Sequence, residues 1–85
     1  MRLDKFLQVS RLVRRRALAN SLCHAGRVTL NGRAAPPSAT VRPNDLITVE
    51  IADRRLRARV LAAPDGRRHS RDVRWVEMLE GTVAE

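Results

Sequence analysis

Apolar positions along this chain follow two periods, first one near 3.6 residues and then one of 2. Leu3, Phe6, Leu7 and Ser10 recur at i, i+3, i+4 and i+7, which predicts a short amphipathic helix with a narrow apolar side. From about Arg15 to Ala25, Leu18, Leu22 and Ala25 fall on one face with Ala19 and Cys23 beside them, and Gly26 stands where a helix stop is expected. This predicts a second helix. At Val28 the period changes: Val28 and Leu30 alternate with Thr29 and Asn31, and the Asn31-Gly32 pair predicts a tight hairpin turn. Pro36, Pro37 and Pro43 make "APPSATVRPND" a loop that closes in a turn at Pro43, Asn44 and Asp45. Two β-prone runs follow, "DLITVEI" and "RLRARVL", with Asp53 and Arg54 turning the chain between them. In the second run Leu56, Ala58 and Val60 alternate with Arg55, Arg57 and Arg59, so one sheet face is wet and bears arginine. Beyond Pro64, "DGRRHSRD" reads as polar and mobile, and Val73 to Leu79 as a short apolar element of unassigned type.

These elements place the chain in the α+β class, with two N-terminal helices packed on a small antiparallel sheet. A chain of 85 residues cannot support two cores. The expected division is one domain over residues 1–61 with a short, partly mobile C-terminal extension over 62–85.

Charge changes the picture from fold to function. The formal net charge is +8 and the isoelectric point near 11.7, which points to a polyanionic partner, nucleic acid before an anionic membrane surface. The distribution says more than the total. Residues 1–33 hold eight basic side chains, Arg2, Lys5, Arg11, Arg14, Arg15, Arg16, Arg27 and Arg33, against Asp4 alone, whereas residues 67–85 hold four of each sign. A helix N-terminus already carries about half a positive charge, so arginines at 14, 15 and 16 cost stability where acids would gain it. Arginines and unpaired N–H groups converging there suit one backbone phosphate. A solvated charged face is the plainer alternative, and Arg2, Lys5 and Arg11 weigh against it.

The residues also carry a family resemblance. Arg-Leu-Asp-Lys-Phe-Leu at the start, a basic stretch, Ala-x-x-Leu-x-x-x-Gly-x-Val-x-Leu-Asn-Gly, and later Pro-x-Asp-x-Ile resemble the RNA-binding module first described in the small-subunit ribosomal protein S-four, shared with some pseudouridine synthases and tyrosyl-tRNA synthetases. The likeness covers about the first 51 residues. It implies two helices on a small bent sheet, the alpha-L motif, with the second helix and the strand after it gripping structured RNA. It implies RNA-facing roles for Arg2, Lys5, Arg11 and Arg16, which extend here to Arg14, Arg15 and Arg27, an orienting role for Asp4 toward Arg11 or a neighbour, and shape roles for Ala19, Gly26 and Gly32. Two positions depart from the family pattern: Arg15 stands where a Ser or Thr helix cap is common, and Asn44 replaces the usual Gly before Asp45. Asn tolerates the left-handed turn that Gly would take.

Free-standing chains of this length with this opening are similar to the family's ribosome-associated quality-control proteins. The likeness implies binding to ribosomal RNA of the large subunit carrying tRNA or peptidyl-tRNA, in support of C-terminal tailing of stalled nascent chains, and it leaves open a nascent-chain tailing factor as a further partner. A longer basic extension found in a related heat-shock protein of about fifteen kilodaltons is not part of this sequence. A monomer is expected, with no cofactor and no membrane partner. A general RNA chaperone or assembly factor and a DNA-binding architectural protein remain as alternatives.

Other chemistry finds little support. Cys23 has no second cysteine to pair with and reads as a small core hydrophobe, while His24 and His69 lie too far apart for a zinc site. No nucleophile, base and orienting acid occur together and no Gly-rich phosphate loop is present, so the chain is expected to be a non-enzyme. Asp4, Asp45 and Glu50 read as ion-pair, turn and strand-surface residues. Trp75 could stack on a base but is expected to pack on the sheet. His24 sits where a helix C-terminus welcomes a cation, and His69 lies in the polar stretch. No apolar run approaches the roughly 18 residues of a membrane span, and the start lacks a signal peptide's apolar region, so a cytoplasmic protein is expected.

Overall fold

The computed structural model describes residues 1–63 and 74–81. Within them α1 (Leu3–Val9) and α2 (Arg16–His24) pack on an antiparallel sheet whose strands, β1 (Val28–Leu30), β2 (Arg33–Ala34), β3 (Leu46–Ile51), β4 (Arg54–Val60) and β5 (Val76–Glu80), lie in the order β2-β1-β3-β4-β5. This is the α+β arrangement expected from the sequence. The readings at "DGRRHS", His69 and Val73 lie outside the described residues.

Local chemistry explains the elements. The first N–H groups of α1, which a helix leaves without internal partners, donate to Ala39 O (2.8 Å), Pro37 O (3.1 Å) and the Asp4 carboxylate, the last from Lys5 N at 2.8 Å. The proline-rich loop therefore caps the helix. At the other end of α2, Arg27 N donates to Leu22 O and Gly26 N to Cys23 O, with Gly26 at φ +74. That is a Schellman stop, whose left-handed residue is glycine because a Cβ would clash with its own backbone. Asn31 (φ +54) and Gly32 (φ +84) form the two-residue hairpin turn between β1 and β2. Asn31 does more than turn: its side chain donates to Asp45 Oδ1 (3.0 Å) and accepts from Leu46 N (2.9 Å), tying the hairpin to the start of β3. Asn31→Ala is expected to cost about 1–2 kcal/mol, through the left-handed residue and the orphaned Leu46 N–H, read as a lowered midpoint in urea unfolding.

Two expectations need correction. The buried stripe of α2 is Ala19, Leu22 and Cys23, whereas Leu18 is 43% exposed and Ala25 is exposed. The helix is turned by about one residue from the expected phase, with Ala19 fully buried and Leu18 at the surface. The β3–β4 turn sits one residue earlier than expected, at Ala52 (φ +55) and Asp53, since Arg54 already pairs with Ile51. The unassigned element after Arg74 is β5. Its neighbour Trp75 meets Phe6 edge to face, with ring centroids 6.0 Å apart, and packs against the core formed by Leu3, Leu7, Leu12, Val13, Val28, Val49 and Val60.

Candidate nucleic-acid interface

Between the helices the chain reads Arg11-Leu12-Val13-Arg14-Arg15-Arg16. Leu12 and Val13 are plugged into the core at 0% and 1% exposure, so the arginines on either side are forced outward. Arg11 sits at φ +65, an uncommon conformation for a non-glycine residue, and the bend is pinned by Val13 N donating to Leu7 O (3.0 Å) and by the buried Ser10, whose hydroxyl donates to Leu7 O (3.3 Å). The loop is thus a rigid mount for exposed cations. No side chain caps the start of α2, and its first turn holds no acid, so that end of the helix has no negative charge of its own.

The hub of the arrangement is Asp4, 3% exposed in the first turn of α1. Its carboxylate accepts from Arg2 Nε (3.2 Å), Arg2 Nη2 (3.3 Å), Arg16 Nη2 (3.4 Å) and Lys5 N (2.8 Å). Burial by itself would raise its pKa, but hydrogen bonds from Arg2, Arg16 and the Lys5 N–H, together with the charge of Arg16, outweigh it and hold the carboxyl below its ordinary value. The two guanidinium side chains remain about half exposed, 52% for Arg2 and 49% for Arg16. One face of each is held by Asp4 and the rest is open to an anion.

Asp4 therefore grips Arg2 and Arg16 and not Arg11, which the sequence had offered as its first partner. Arg14 and Arg15 are exposed and line an open hollow with Leu18, and Lys5 is half-buried on α1. Arg27 stands apart, beyond the far end of α2, a helix on the order of 13 Å long. Leu18 is the residue that sequence reasoning missed at this surface, having been placed in the core; its position among three arginines was the available signal. Cys23 is buried behind the surface, and burial followed by the charge of Asp4 pushes its thiol pKa up, which leaves it unreactive. Among the described residues no three His, Cys, Asp or Glu side chains are grouped as metal ligands, and no helix is long and apolar enough to cross a membrane.

Comparison with known proteins agrees with this fold. The S4 domain family matches residues 1–47. The protein of Bacillus subtilis (strain 168) called RQC P-site tRNA stabilizing factor is 48% identical over 54 residues, 64% of this chain and 63% of that one, so the match spans slightly under two thirds of that relative. A protein of the same name from Streptococcus pneumoniae is 32% identical over 85 residues, all of this chain and 97% of the relative. Among solved structures, the trimeric Heat Shock Protein 15 of Vibrio cholerae superposes with a TM-score of 0.77 at 28% identity, over 92% of this chain and 80% of that one. A hypothetical protein solved in solution superposes at 0.75 and 32% identity, over 96% of this chain and all of the other. The chain belongs to the S4 domain family and, within it, is related along its whole length to the proteins named RQC P-site tRNA stabilizing factor.

Proposed function

We propose that this protein is a non-catalytic RNA-binding factor of ribosome-associated quality control, which binds ribosomal RNA of the large subunit beside a peptidyl-tRNA and steadies that tRNA while a stalled nascent chain is tailed. The observation that carries the reading is the set of outward cations at residues 2, 11 and 14–16, of which Arg11 and Arg14–Arg16 flank buried Leu12 and Val13 and Arg2 and Arg16 are held by buried Asp4. Phosphates are met by guanidinium groups with fixed direction, so little side-chain entropy is lost on contact. The names of the relatives support the tRNA and the quality-control setting, and this reading places the protein in the cytoplasm.

The test is binding of the purified protein to large subunits with and without P-site peptidyl-tRNA. Tighter binding to the occupied subunits is expected. Equal binding to both, or a preference for immature particles or for duplex DNA, would overturn the reading in favour of an assembly factor or an architectural protein.

Leu18 supplies a check on detail. An apolar side chain sharing one hollow with Arg14 and Arg15 suits the sugar or base edge of a nucleotide whose phosphate the arginines hold. Leu18→Gln keeps the charge, and a several-fold loss of RNA affinity with an unchanged salt slope is expected in fluorescence-anisotropy titrations at a series of salt concentrations.

A further inference from the structure

The second arginine-bearing surface is the outer face of the sheet, where Arg55, Arg57 and Arg59 each stand beside a glutamate. Arg55 is paired with Glu50 at 3.8 Å. Arg57 stands across from Glu80, and Arg59 across from Glu77, in the β4–β5 ladder. Glutamates three apart in a regular strand would point to opposite faces, because side chains alternate. Here they share one face because β5 carries a bulge: Met78 is opposite Ala58 and Glu80 is opposite Arg57, leaving Leu79 as the extra residue, 46% exposed. In an unbulged ladder Leu79 would face Arg57. The end of β5 is also held close to β4, since Gly81 (φ +80) leaves no room for a Cβ, which would fall 2.7 Å from Arg55 O and 2.6 Å from Leu56 Cδ2.

From this we infer that β5 is a charge screen: Glu77 and Glu80, set opposite Arg59 and Arg57, offset the charge of the sheet arginines and confine RNA to the helix-side surface, so the protein takes one RNA in one orientation. The inference rests on the RNA-binding reading above. It makes Glu77 and Glu80 determinants of specificity and assigns Arg57 and Arg59 no RNA contact in the native protein, although sequence alternation alone allows them one.

The experiment uses polyuridine RNA, which offers phosphates without a folded shape, and follows affinity against salt for the full chain. Both glutamates are exposed, and thermal melts confirm that Glu77→Gln/Glu80→Gln is folded. The double variant is expected to bind several-fold more tightly, with the slope of log K against log salt steeper by about 1.4, the value for two added contacts to a single strand at about 0.7 each. The gain should disappear when Arg57→Ala/Arg59→Ala is added and persist in an Arg16→Ala background. Asp53→Asn, a charge change in the β3–β4 turn, should leave the slope unchanged. An unchanged slope in the double variant would overturn the screen, as would a loss of wild-type binding on Arg57→Ala/Arg59→Ala alone. Failure of the RNA-binding reading looks different: wild-type binding would then be indifferent to Arg16→Ala.

Discussion

Arg16→Ala is expected to weaken binding to tRNA-bearing large subunits about ten- to a hundred-fold while leaving the fold intact. Arg16 opens α2 where no side chain caps it, and its guanidinium is aimed by Asp4 with half its surface still free. A charge-assisted hydrogen bond to a phosphate is worth about 1.5–3 kcal/mol, and about 1.4 kcal/mol is a factor of ten. Removing it should also flatten the salt slope by about one contact. Stability should change by less than about 1 kcal/mol, because a half-exposed ion pair contributes little and Asp4 keeps Arg2 and the Lys5 N–H. Arg33→Ala removes the same charge from the exposed hairpin strand and should cost only two- to three-fold. The contrast between the two variants, measured by anisotropy titration, separates a positioned contact from a general field.

Asp4→Asn has the opposite charge logic. Losing the lone acid of the first third raises the local positive charge, so a general electrostatic field would bind RNA more tightly. Weaker binding, by about ten-fold, is expected instead, because Arg2 and Arg16 lose the carboxylate that sets their direction. The fold should suffer too, by about 1–3 kcal/mol, since a buried acceptor of four N–H donors from three residues becomes an amide that cannot satisfy them all. The same carboxylate sets an acid limit. Its folded pKa lies below its ordinary value of 3.8, so its contribution to stability is complete above that value and is lost as pH falls through the lower folded pKa. Urea midpoints taken from pH 6 downward should show this decline in the wild type and a shallower one in Asp4→Asn.

What could be read from the sequence was local. Gly26, Asn31-Gly32 and Asn44 each demand a left-handed backbone, and all four residues adopt it, because turn chemistry depends on neighbours along the chain. Alternation in β4 was equally plain, since from Arg55 to Val60 buried apolar residues alternate with arginines. The phase of α2 was not. Leu18 and Ala19 are both helix formers, and which one is buried is decided by packing against other elements rather than by the helix's own residues. The Asp4–Arg16 contact joins residues twelve apart across two helices, and the β5 bulge depends on which strand lies beside β4. Such pairings follow from tertiary approach, so periodicity carries no trace of them. Charge pointed to the third of the chain that carries these arginines, while the grip of one buried acid on two of them required the fold.

The most direct measurement is gradient sedimentation of cell extracts containing the tagged wild-type or Arg16→Ala protein, with peptidyl-tRNA assayed in each fraction. Wild-type protein is expected to migrate with large subunits that carry peptidyl-tRNA, and Arg16→Ala to remain near the top of the gradient. Wild-type protein at the top, on immature particles or with DNA would contradict the proposed function, and co-migration undiminished in Arg16→Ala would contradict the proposed arginine site.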